Sequence, residues 1–121
     1  MAAVDDFALL LCHGVPWLEE QRLRTVSEWH PDSPPPTVLL GALGQAIAEE
    51  FDEIPPDLRR RVFDEIELGA CDPRIDLSTA VATGLIEALI FRAMKQPELF
   101  NRVMATFGPT SRQHALVMSR F

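Results

Sequence analysis

Apolar side chains recur along this chain at intervals of three and four, and in no window do they alternate with polar ones long enough to make a convincing strand. The longest such run is DLSTAVATGLIEALIFRAMK, residues 76–95. On a regular helix, at about 100° per residue, its apolar positions fall on almost every bearing. Val81, Ala82, Leu85 and Leu89 lie on one side, Ile86, Ile90 and Met94 on another, and Leu77 and Phe91 between them. A helix that is apolar all round is a buried one, so this stretch is expected to be the central helix of the fold. Asp76, Glu87, Arg92 and Lys95 interrupt it too closely for a membrane span. Ala80, Gly84 and Ala88 sit four apart on one narrow ridge, where a second helix can approach the backbone closely. Such packing accounts for a glycine that costs ~1 kcal/mol relative to alanine in a helix interior. Asp76 stands where an N-cap is expected, and Lys95 at the end where the helix dipole favours a cation.

The same spacing predicts helices on either side. One covers Val4 to His13 and is ended by Gly14; the next opens at Pro16 and carries a stripe of Trp17, Leu18, Leu23, Val26 and Trp29 to about His30. HPDSPPP, residues 30–36, can be neither helix nor central strand and reads as a stiff connector. A third helix starts at Thr37, buries Leu40, Leu43, Ile47 and Phe51, and runs to about Glu53. After Pro55-Pro56 a fourth presents Leu58, Val62, Phe63, Ile66 and Ala70. Pro97 begins a shorter helix with Leu99, Phe100, Val103, Met104 and Phe107, and residues 111–120 read as a last helical turn or two. The expected fold is all-α: one domain over residues 1–121, a compact bundle of about six helices around the buried 76–95 helix.

Composition narrows the function. Eighteen acids against eleven bases give a net charge of −7, a field that repels nucleic acid and anionic membranes and attracts basic partners. The two cysteines, Cys12 and Cys71, form no CxxC, and the N-terminus MAAVDDF carries acids where a signal peptide needs basic residues. A cytoplasmic protein with two reduced, mostly buried thiols is expected. His13, His30, His114 and the cysteines lie on different elements and make no ligand spacing, so neither a metal nor another cofactor is expected. Neither cysteine has a basic or glycine-rich setting that would lower its pKa for nucleophilic work. Glu67, one turn from Phe63, and Glu87, almost alone among the apolar positions of the central helix, are expected to be structural buried acids with hydrogen-bonding partners.

Charge is distributed unevenly. Residues 49–76 hold ten acids and four arginines, net −6, whereas residues 92–121 hold five bases and one acid, net +4. Glu49, Glu50, Asp52 and Glu53 sit at a helix C-terminus and Arg59, Arg60 and Arg61 early in the next helix, each the end its own dipole disfavours. Two such violations side by side need a reason. Either the opposite charges face each other across Pro55-Pro56, or Glu49, Glu50, Asp52, Glu53, Asp57, Asp64 and Glu65 present an acidic binding face to a basic partner.

VFDEIELG (residues 62–69) and STAVATGLIEALI (residues 78–90) together resemble a family of small acidic bacterial helical proteins, in which an F-x-x-I-E helix is followed by an A-x-x-T-G-[FL]-[IL]-E-x-L helix. The resemblance covers roughly residues 38–95, and members of such families look like immunity proteins of polymorphic toxin systems. It implies a non-enzymatic protein that binds and neutralises a cognate toxin through an acidic surface, makes Glu67 and Glu87 shared positions, and supplies no catalytic residue. The alternative is a homo-oligomeric, for instance homodimeric, or adaptor helical protein with no toxin partner; an enzyme comes third, because no constellation of residues supports one.

Overall fold

Proline marks the turns of this chain. In the computed structural model, which describes residues 2–120, five of seven helices have proline in their first turn, where its fixed φ fits and its missing N–H loses no bond. These are α2 (Pro16–Trp29), α3 (Pro36–Glu49), α4 (Pro56–Ala70), α6 (Pro97–Thr106) and α7 (Pro109–Met118). Before them α1 (Ala2–Cys12) is followed by a turn through Gly14, whose φ of 75° glycine adopts without strain. The third helix stops at Glu49, short of the expected Glu53, and a separate 3₁₀ turn, Phe51–Glu53, follows. The expected last turn or two is a full ten-residue helix. The described residues contain no strand, and none of their helices is long and apolar enough to cross a membrane.

The central helix, α5 (residues 75–93), is built from Ile75–Ala80, a π-helical segment Val81–Ile86 and Glu87–Ala93. It packs against α1, α3, α4, α6 and α7, and α2 closes the bundle over α1 and α3. Arg74, not Asp76, holds its N-cap position, and Asp76 is exposed in the first turn. The expectation that α5 is buried all round is corrected by the π segment. Thr79, Thr83, Glu87, Phe91 and Lys95 recur every four residues, and of these all but the half-buried Glu87 are exposed. On a regular helix that series would drift by about 160°, scattering it among the buried positions. A π turn takes in one extra residue. Allowing one such residue in the middle of the segment brings Thr79, Thr83, Glu87 and Phe91 within roughly 60° of one another, opposite Leu77, Val81, Leu85, Leu89 and Ala93. Those five are all buried. The helix therefore has one dry side and one wet edge.

The ridge of small residues meets α3. A Cβ on Gly84 would lie 3.2 Å from Thr37 Cα and 3.3 Å from Leu40 Cβ. Gly44, on α3, is tighter still: a Cβ there would run into the Leu85 carbonyl and lie 3.2 Å from the Leu89 nitrogen. The two backbones cross where neither helix has a side chain. Beside this crossing the core is aromatic. Phe63 of α4 packs edge-on against Phe51 with 5.7 Å between ring centres and against Phe107 at 5.4 Å, offset and tilted geometries favoured by the ring quadrupoles.

Candidate functional site

The seven acids singled out from the sequence do not share one environment. Glu49 faces Arg92 at the end of α5, 3.5 Å from its Nε, and Asp52 takes two hydrogen bonds from Arg102 of α6, from Nε at 3.1 Å and Nη2 at 2.8 Å. Glu50, Glu53, Asp57 and Asp64 are exposed and Glu65 is half-buried, and none of these five has an ion pair among the described residues. Opposite charges facing each other across Pro55-Pro56 are therefore not what the structure has: the partners of Glu49 and Asp52 lie more than forty residues further along.

Two of the three arginines early in α4, Arg59 and Arg61, serve other elements, and Arg60 is exposed. Arg61 donates to the carbonyls of Leu10 (3.1 Å), Leu11 (3.3 Å) and His13, covering the open C-terminal end of α1. Arg59 donates to Phe51 O at 3.0 Å and lies over the Phe51 ring, 4.7 Å from its centre. Arg112, in the first half of α7, likewise donates to Met104 O and Phe107 O at the end of α6. A cation misplaced on its own helix is well placed at the end of a neighbour.

Glu67 is the acidic counterpart. It is half-buried near the C-terminal end of α4 and accepts from the N–H of Thr110 and of Ser111, both at 2.9 Å, and from Ser111 Oγ at 2.8 Å. Those amides are orphan donors in the first turn of α7, whose cap position is Gly108 and so has no side chain of its own to offer. A Cβ on Gly108 would lie 2.6 Å from Glu67 Cδ. The glycine leaves the space that the carboxylate fills. Burial by itself would raise this carboxyl, but the N–H groups of Ser111 and Thr110 and their hydroxyls outweigh it and bring the pKa down to about 2.

Glu87 departs from expectation. It lies on the wet edge of α5, half-buried, with no hydrogen bond or ion pair among the described residues, and with its oxygens reached by solvent. Cys71, expected to be buried, is exposed, its Sγ 3.1 Å from Thr110 Oγ1 and 3.6 Å from Glu67 Oε2. Cys12 is buried, and burial foremost, then the nearby Glu19, push its thiol up to about 12, so it stays protonated at neutral pH. Cys12, His13 and Glu19 border an open cleft of about 470 Å³, but Glu19 is held by Arg22. Among the described residues no three His, Cys, Asp or Glu side chains are grouped to hold a metal ion.

Between α1 and α4 lies a different kind of depression, a groove of about 210 Å³. On α1 it is lined by Ala3, Asp6, Phe7 and Leu10, at the spacing of one helix face, and on α4 by Glu65, Leu68 and Gly69, with Asp72, Arg74 and Leu77 closing the end. Its flanking leucines are unusually open, Leu10 53% and Leu68 65% exposed. Sequence reasoning assigned Glu65 to a binding face and missed Asp6 and Leu68. The available signal was Leu68 itself, an apolar residue on the acidic face of α4, eleven residues from Asp57 and four from Asp64 and so nearly in line with both.

No protein-family model, curated protein or solved structure matches this chain.

Proposed function

We propose that this chain is a protein-binding module of the immunity-protein type, which covers a basic surface of a toxin or effector without catalysing a reaction. The observation that carries the reading is the imbalance of its charges. Arg59, Arg61 and Arg112 are engaged with backbone carbonyls, only the exposed Arg60 is left among the cations early in α4, and Glu50, Glu53, Asp57, Asp64 and Glu65 have no ion pair among the described residues in a chain of net charge −7. Such a field steers basic partners and opposes nucleic acid and anionic lipid. A cytoplasmic site of action belongs to the same proposal, supported by two free thiols, one of them exposed.

The test is association kinetics, at two salt concentrations, with the C-terminal domain of a secreted toxin encoded immediately upstream of this chain. Glu53→Lys combined with Asp64→Lys should lower kon and flatten its salt dependence, because steering acts over a Debye length of roughly 8 Å at physiological ionic strength. The helical circular dichroism should not change. Equal kon for wild type and variant at low salt would sink the reading. A second reading, self-association, is favoured by one observation: Phe91 and Met94 stand 47% and 40% exposed near the end of α5. Sedimentation equilibrium at micromolar concentrations decides it.

A further inference from the structure

We infer that the groove between α1 and α4 is where the partner docks, and that it receives one large apolar side chain flanked by Lys or Arg. This inference rests on the proposed binding function and assigns it a place. Three observations converge on the groove. Its floor is preformed: Phe7 is buried against Gly69, where a Cβ would lie 2.6 Å from the Phe7 ring. Its walls, Leu10 and Leu68, are large aliphatic side chains more than half exposed, an arrangement that gains free energy when covered. Its rim is acidic on balance: Asp6, Glu65 and Asp72 face one cation, Arg74, which is bonded to Asp72 with contacts of 2.9 Å and felt by Asp6 at longer range, and neither Asp6 nor Glu65 has an ion pair among the described residues.

The occupant follows from size and charge. A volume of about 210 Å³ is below the roughly 300–1,000 Å³ of small-molecule sites and suits one or two side chains. A second copy of this chain docked groove to groove would bring the same acidic rim against itself, and like charges facing each other oppose that pairing. A helix or loop carrying Leu or Phe between basic residues satisfies both the walls and the rim. In that arrangement the apolar residue is the anchor and the basic residues fix its register.

The probe is a synthetic 12-residue helical peptide of Lys and Leu, titrated into the ¹⁵N-labelled full chain, with two controls: a peptide with Ser in place of every Leu and one with Glu in place of every Lys. The expected result is that the Lys–Leu peptide shifts the amides of Leu10, Leu68 and Gly69 first, and that Leu68→Ser weakens it about tenfold, the effect of losing an anchoring side chain. Leu68 is exposed, so this variant keeps the fold, and Leu10→Ser on the opposite wall gives an independent check. Both controls should bind at least about tenfold more weakly. Shifts centred on Glu50, Glu53 and Asp57 would overturn the groove while leaving the acidic-face reading standing. Equal binding of the Lys–Ser peptide would do the same. No binding of any lysine peptide at low salt would overturn both.

Discussion

The α3–α5 crossing and the α4–α7 junction are both organised by glycine, and they differ in what the glycine admits. At Gly44 and Gly84 the missing side chain lets two backbones meet, so the contact is dry and made of van der Waals packing. At Gly108 it lets in the Glu67 carboxylate, so the contact is electrostatic and depends on solvent and pH. A backbone crossing cannot yield without moving two helices. A carboxylate can rotate away. The first junction should therefore be indifferent to solvent and pH but intolerant of added bulk at its centre, whereas the second should be tunable.

The largest effect is expected at the crossing. Gly44→Ala places a Cβ against the Leu85 carbonyl and should cost about 3 kcal/mol, the upper end of overpacking, read as a shift of the urea midpoint at unchanged m-value. Gly84→Ala should be close to neutral, because contacts of 3.2 to 3.4 Å are offset by the ~1 kcal/mol that alanine gains in a helix; Gly84→Leu should cost roughly 1 to 3 kcal/mol. Similar losses for both alanine variants would mean that the crossing is not centred on Gly44.

Next comes the junction. Glu67→Ala leaves the Thr110 and Ser111 amides without their acceptor and should destabilise by about 2 kcal/mol, with hydrogen exchange accelerated at those two amides. Gly108→Ala should be harmful alone and mild on top of Glu67→Ala, since its clash is with the carboxylate that the second change removes. Strict additivity in that double-mutant cycle would refute the account of Gly108.

Acid is expected to act on the junction and spare the crossing. The folded pKa of Glu67, about 2, lies below the ordinary 4.5, so its contribution is complete above pH 4.5 and fades as pH falls toward 2. The stability gap between wild type and Glu67→Gln should therefore narrow over that window, while the gap to Gly44→Ala stays constant. The smallest effect belongs to the surface: Asp52→Ala should cost less than about 1 kcal/mol, although it breaks a two-point contact with Arg102, because both side chains are exposed.

Helix identity was legible because three- and four-residue spacing and helix-opening prolines are local signals. Two things were not local. The wet edge of α5 escaped a regular helical wheel, since one π turn in Val81–Ile86 rotates everything beyond it, Glu87 included. The partners of Arg61 and Glu67 lie 48 to 51 residues back and 43 to 44 residues ahead, distances at which spacing says nothing. What the sequence did expose was a set of charges at the wrong helix ends, and of these Arg59 and Arg61 now have their reason in the ends of other elements. Leu68 belonged to the candidate site and was hidden by a plain bias, since a lone leucine among acids reads as surface noise.

Arg61 also bears on the order in which the chain can settle as it leaves the ribosome. The carbonyls of Leu10, Leu11 and His13 receive a guanidinium made 48 residues after His13, so during synthesis the end of α1 exists for some time with only its own backbone bonds to hold it. Nascent chains stalled after Pro55 should be cut by protease within α1, and chains long enough to expose all of α4 outside the tunnel should be protected there. Equal protection at both lengths would show that α1 holds its shape without help from the chain that follows.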